Sequence, residues 1–384
     1  MGQLPDSIRK LTLFALNTPI IQKIISNLPC KLQELDFVNN DFIQSRCVLP
    51  QSLTDLHYSG RYDSMKWLVV PPNKVYKNCK FVLNSNESFQ WLLENKFIGK
   101  IKIGPGAIPM LKSHRLPSHV TDIHLKHGIP DPDLLLPPTL ERLFFSNYGT
   151  PFSHISHLKD LYINYEYPIK LKKGVLPRSL ETLCLSYDQP LEPEVLPDQL
   201  RTLYMYEFNQ PLKNNVLPLS LTDLTLVSFN QPLNAFVLPP KLKKLTMQGF
   251  QLPTFLRNSL PLSLNELTLF KFNGSFDQCQ PLDNLKRLKI GSLVPSLAGL
   301  FVNVKKLDLF VFDTAIDEPS GTCLANTYIE SLSLYCLVKS TLYPNSLPPT
   351  IKYLSLVNVV IKSEKAIPSS CRYLKSTTRN FTKG

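Results

Sequence analysis

Residues 195–245 read VLPDQLRTLYMYEFNQPLKNN, then VLPLSLTDLTLVSFNQPLNAF, then VLPPKLKKL, one unit repeated head to tail. Pro197, Pro218 and Pro239 stand 21 residues apart. Self-similarity at a period of this size means a stack of small identical units, each unable to bury its apolar face alone. The core of the unit is Pro-x-x-Leu-x-x-Leu-x-Leu, as in Pro218, Leu221, Leu224 and Leu226. Leu224 and Leu226 are two apart and so share one face of an extended strand. Proline fixes φ and donates no hydrogen bond, which places it just before the strand. Strands of successive units laid side by side form a parallel sheet with a continuous leucine column on its inner face.

The pattern extends far beyond its clearest copies. Eleven prolines, from Pro5 to Pro348, are followed by apolar residues at +3, +6 and +8. With apolar residues at 43% of the chain, chance alone would supply about 3. A length of 384 residues would otherwise suggest two or three globular domains, but a solenoid grows by adding units. The sequence therefore predicts one repeat solenoid over 1–374 of about 17–18 units, with the parallel sheet on its concave face. Irregular loops, short turns or helices would cover the convex face.

The expected strands begin at Leu11–Leu13, Leu35–Phe37 and Leu56–Tyr58, and the pattern weakens over 69–99. There one strand is expected at Phe81–Leu83 and one short helix at Glu87–Lys96, capped by Asn84–Asn86 and stopped by Gly99. Strands resume at Ile101–Ile103, Ile123–Leu125, Leu143–Phe145 and Leu161–Ile163. The most regular block, 175–276, places strands at Leu183–Leu185, Leu203–Met205, Leu224–Leu226, Leu245–Met247 and Leu267–Leu269. Four more follow, near Leu288–Ile290, Leu307–Leu309, Leu332–Leu334 and Leu354–Leu356, with a terminal half-unit at Tyr373–Leu374. The last ten residues, 375–384, form a polar tail.

Phe208-Asn209-Gln210-Pro211-Leu212 and Phe229-Asn230-Gln231-Pro232-Leu233, each followed by Val-Leu-Pro-x-x-Leu-x-x-Leu, resemble the FNIP repeat, a leucine-rich-repeat relative found in social amoebae and some giant viruses. Tyr187-Asp188-Gln189-Pro190-Leu191 is a close variant; Phe272-Asn273-Gly274-Ser275-Phe276 and Leu16-Asn17-Thr18-Pro19-Ile20 are weaker ones. The resemblance implies a leucine-rich-repeat-like solenoid with a role in protein interaction. It supplies no shared catalytic residue, substrate or cofactor. Some relatives join their repeats to an F-box or other effector domain, which makes a substrate-recognition subunit of a ubiquitin ligase the alternative reading. The opening Leu4-Pro5-Asp6-Ser7-Ile8 is explained by the repeat, and an adaptor-binding element is not evident.

No phosphate-binding Gly-x-x-x-x-Gly-Lys and no Gly-x-Ser-x-Gly elbow occurs. His114, His119, His124 and His127, near Asp122 and Asp131, match no zinc spacing, so no metal or cofactor is expected. The eight cysteines are scattered without a Cys-x-x-Cys and read as reduced core residues. No stretch reads as a signal peptide or membrane span, and the expected location is cytoplasmic. The formal net charge of +12 is spread without a basic block of five, so a solvated exterior is favoured over nucleic-acid binding.

A partner would meet the outward residues of the strands. The expected central column includes Asp36, His57, Val82, Lys102, His124, Phe144, Tyr162, Cys184, Tyr204 and Thr225. Phe144, Tyr162 and Tyr204, with Tyr206 one column over, concentrate aromatics in neighbouring repeats. They read either as anchors for another protein or as residues chosen for strand propensity.

Overall fold

The computed structural model describes residues 4–14, 18–38, 43–125, 135–145, 155–166, 170–291, 302–311, 324 and 327–377, without the side chains of residues 18, 164–166, 311 and 338. The chain divides into two compact units, Met1–Ile169 and Lys170–Gly384. The first contains strands β1 (Lys10–Phe14), β2 (Glu34–Val38), β3 (Cys47–Val48), β4 (Asp55–Arg61), β5 (Leu68–Val69), β6 (Cys79–Leu83), β7 (Lys100–Ile103), β8 (Asp122–Leu125), β9 (Arg142–Phe145) and β10 (Asp160–Glu166). The second contains β11 (Thr182–Ser186), β12 (Thr202–Met205), β13 (Asp223–Leu226), β14 (Lys244–Met247), β15 (Glu266–Leu269), β16 (Arg287–Ile290), β17 (Lys306–Val311), β18 (Ser331–Leu342), β19 (Tyr353–Ile361) and β20 (Tyr373–Thr377). Each strand expected from the period falls within one of these. The fold is a parallel β-sheet solenoid with little helix.

In the second unit every described pairing is parallel and joins consecutive strands, from β11–β12 through β19–β20. Leu203, Leu224, Leu245 and Leu267 stand in one register row and are all buried. Each unit enters its strand through a tight turn. The N–H of Leu221 donates to the carbonyl of Pro218 at 3.1 Å, and Leu200, Leu242 and Leu264 repeat the bond to Pro197, Pro239 and Pro261. The proline thus sets the turn, and the leucine three residues on plugs the core.

Behind the sheet runs a column of buried rings. Phe208 and Phe229 lie 6.3 Å apart and nearly parallel at 3°. Phe229 and Phe250 follow at 6.4 Å and 6°, and Phe255, Phe272 and Phe276 continue the packing. Asn209 and Asn230, which follow Phe208 and Phe229, bond across repeats. Asn209 Oδ1 accepts from the Asn230 N–H at 2.8 Å and from Gln231 Nε2 at 3.3 Å. Asp188 Oδ1 accepts the same two bonds from Asn209 and Gln210, at 2.9 and 3.0 Å. Asn230 Oδ1 passes the pattern to the Gln251 N–H at 2.9 Å. The Phe-Asn-Gln triplet is therefore one ring for the core, one acceptor and one donor for the neighbouring unit.

In five successive repeats of the second unit one residue takes a left-handed backbone. Gly174, Glu194, Asn215, Phe236 and Asn258 have φ between 62° and 84° and precede Val175, Val195, Val216, Val237 and Ser259. Phe236 is the misfit, since a bulky side chain is strained at φ 62°. It is 75% exposed and so gains little packing in return. Phe236→Asn is expected to stabilise the protein by about 0.5–1 kcal/mol, because asparagine tolerates this region. A lower urea midpoint for that variant would contradict this account.

The first unit is built on the same parallel pairing, β1–β2–β4–β6–β7–β8–β9–β10. Its departures come from the irregular stretch. β4 runs on to Arg61, past the Leu56-x-Tyr58 core pair, and β6 pairs with that extension. Arg61, not His57, therefore stands opposite Val82, which corrects the expected outward column. β3 and β5 form a separate two-stranded parallel pair absent from the sequence reading. Helix α1 (Thr18–Ile25) was likewise not expected, and it buries Ile21 and Ile25. Helix α2 (Tyr62–Met65) is a single turn after β4. The expected helix near residue 90 is α3 (Asn86–Glu94), which is shorter than Glu87–Lys96. Its cap is Ser85, whose Oγ accepts from the Ser88 N–H while Ser88 Oγ accepts from the Ser85 N–H. Its last residue is Glu94 and its C-cap is Asn95, so it stops short of Gly99. One further helical turn, α4 (Ile108–Leu111), precedes β8.

Candidate functional site

The alternation of each strand turns one set of side chains into the core and the other onto the exposed sheet face. In the first unit that face carries two rows across β6 to β10. One row is Lys80, Lys100, Asp122, Arg142 and Asp160. The other is Val82, Lys102, His124, Phe144 and Tyr162.

Phe144 and Tyr162 stack face to face, centroids 4.2 Å apart and planes within 5°. His124 lies against the other side of Phe144 at 5.4 Å. Both aromatic rings remain partly exposed. In the first row Asp122 is only 6% exposed. It holds Lys100 at 3.3 Å and Arg142 at 3.5 Å, and Arg142 also reaches Asp160 at 3.1 Å. Lys80 Nζ donates to His124 Nδ1 at 3.0 Å. Its pKa is pushed below the ordinary lysine value by burial first, then by the like charges of Lys100 and Lys102.

Tyr204 and Tyr206 belong to the second unit, at the end of β12. Their rings are 4.5 Å apart and tilted by 54°. Tyr206 is 38% exposed. Burial, and then neighbouring Cys184, push its phenol pKa up. The four aromatics singled out in the sequence are thus two contacting pairs, one in each unit. The row of Lys80, Lys100, Asp122 and Arg142 was missed. Its signal was present one position before the first core residue of each strand, where charges of both signs recur.

The remaining candidates for chemistry do not converge. His114 is exposed and bonds Ser113 at 2.8 Å. His119 is partly buried, with its pKa lowered by burial and by Lys96. His124 is on the sheet face. His127 and Asp131 lie outside the described residues. Among the described residues no three His, Cys, Asp or Glu side chains group as metal ligands would. Burial pushes the thiols of Cys47 and Cys79 up to about 12 and that of Cys279 to about 11, so these three stay protonated and non-nucleophilic at neutral pH. Among the described residues no helix is long and apolar enough to cross a membrane.

Comparison with known proteins bears on the repeat. The FNIP Repeat family model matches residues 170–207, 187–226 and 208–250. No curated protein matches by sequence. Among solved structures, the chain is similar to CroV588, described as a novel circular LRR protein, at a TM-score of 0.53 and 18% identity. That alignment covers 97% of this chain and 70% of CroV588. It is also similar to a chain of the mouse RP105/MD-1 complex, at a TM-score of 0.51 and 14% identity, covering 86% of this chain and 75% of that one. At these identities the likeness concerns the fold. Residues 170–250 are FNIP repeats, and the chain that carries them has the leucine-rich-repeat type of parallel β-solenoid fold.

Proposed function

We propose that this chain is a non-enzymatic scaffold that binds another protein on the exposed face of its sheet, with Phe144 and Tyr162 as anchors. The observation that carries the reading is the stacked pair itself. Two adjacent strands hold large rings against each other on the solvent side, where the fold needs none for its core. Rings fixed in this way lose little side-chain entropy on binding, which suits them to be interface anchors. The buried leucine column and the protonated thiols are structural, and the fold is one commonly used for protein–protein interaction. Tyr204 and Tyr206 are a second candidate anchor pair, in the second unit.

The test is affinity capture on the intact protein and two variants, Phe144→Ala/Tyr162→Ala and Tyr204→Ala/Tyr206→Ala. Loss of one central anchor costs about 2 kcal/mol or more, so a partner held by the first pair should weaken at least roughly 30-fold in the first variant. Both variants should keep the wild-type far-ultraviolet circular dichroism. A partner retained equally by wild type and both variants would sink the aromatic-anchor reading and leave these rings as strand formers.

A further inference from the structure

We propose that the face spanning β6 to β10 takes an acidic, extended segment of the partner protein, its carboxylates on Lys80 and Lys102 and an apolar or aromatic side chain against the Phe144–Tyr162 pair. This rests on the reading that a partner protein binds this sheet face, and it names the chemistry of that partner.

The charge balance of the face is uneven. Lys100 and Arg142 are held by Asp122 and Asp160. Among the described residues, no carboxylate lies within ion-pair distance of Lys80 or Lys102, although both are partly buried. A lysine set among like charges is less favourable until an anion arrives. The pKa of Lys80 is depressed by burial first and then by Lys100 and Lys102, against a smaller opposing pull from Asp122. Asp122 and Asp160 neutralise the middle of the row, so the surplus positive charge sits at the β6–β7 end and the aromatic rings at the β9–β10 end.

This layout fits a peptide better than a nucleic acid. Lys102 and Phe144 are two strand spacings apart, about 10 Å. A polyproline-type extended segment repeats its face every three residues, about 9.3 Å. One such segment can therefore set a carboxylate at one end and an apolar side chain at the other. Single-stranded RNA needs open ring faces on which bases stack. Phe144 has Tyr162 on one side and His124 on the other. A continuous phosphate backbone crossing β8 to β10 would also run over Asp122 and Asp160, whereas a peptide can place uncharged residues there.

The experiment uses the full chain and a fluorescent peptide of four Glu-Glu-Tyr copies, with Gln-Gln-Tyr and oligouridylate probes in parallel, at low ionic strength. The acidic peptide is expected to bind about tenfold or more tighter than the glutamine peptide, with an affinity that falls as salt is added. Lys80→Gln/Lys102→Gln should abolish that difference without lowering the thermal midpoint, since it removes two positive charges that no carboxylate among the described residues pairs. Lys241→Gln/Lys243→Gln, on exposed lysines of the second unit, should leave it intact. Three outcomes overturn the proposal: equal binding of the acidic and glutamine peptides, equal loss in the two lysine variants, or tighter binding of oligouridylate. In the first two cases, partner capture that still fails with Phe144→Ala/Tyr162→Ala would show that the sheet-face reading survives and only the acidic chemistry is wrong.

Discussion

Phe229→Ala is expected to destabilise the second unit by about 3–5 kcal/mol, the largest single-site loss foreseen for this protein. The ring is fully buried and lies between Phe208 at 6.3 Å and Phe250 at 6.4 Å. Truncation removes its own burial and also one side of the packing of both neighbours. Phe208 is anchored by the bonds of Asn209 and Gln210 to Asp188, and Phe250 by the Gln251 N–H bond to Asn230, so the gap closes poorly. Phe229→Leu keeps most of the volume and should cost much less, about 1–1.5 kcal/mol. A repeat array transmits stability through nearest-neighbour interfaces, so the alanine variant should also broaden or split the urea transition of the full chain. A single sharp transition at the wild-type midpoint would show that the ring column is not what holds these units together.

Asn209→Ala is expected to cost about 1–3 kcal/mol, although a partly exposed asparagine outside the core would normally be replaced at little cost. Its Oδ1 receives both the Asn230 N–H and Gln231 Nε2. Alanine leaves two partly buried donors of the next unit without their acceptor, and an unmade bond costs more than a made one contributes. Asn209→Asp provides the discriminating control. Asp188 already accepts the equivalent pair of bonds, so an aspartate at 209 should keep most of the wild-type stability near neutral pH. Equal urea midpoints for the alanine and aspartate variants, both lowered, would mean that the amide nitrogen rather than the acceptor oxygen matters.

These two predictions rest on features read at different depths. The need for a large apolar residue at Phe229 is visible in the period, because a coil behind a sheet has a back to fill. The role of Asn209 is not. Asparagine after a bulky residue looks like a local turn former, yet its oxygen serves the next unit, 21 residues on. Helix α1 was similarly hidden: Pro19 suits the first turn of a helix, but the neighbouring residues imitate a weak repeat. The shifted pairing of β4 with β6 was hidden because an irregular unit offers two registers with the same alternation of faces.

The candidate site divides along the same line. That Phe144, Tyr162, Tyr204 and Tyr206 face away from the core follows from alternation alone, since a strand has only two faces and leucine occupies one. Which outward residues touch each other is decided by register between strands, a property of the assembled sheet. Register stacks Phe144 on Tyr162, sets Asp122 between Lys100 and Arg142, and among the described residues leaves Lys80 and Lys102 without a carboxylate at ion-pair distance. The sequence by itself determined the repeat, its core strands and the two faces of those strands, because these depend on spacing within one repeat. Only the tertiary structure decided the asparagine relay, the ring column and the charge pattern of the face, because each is an interaction between units brought together by folding.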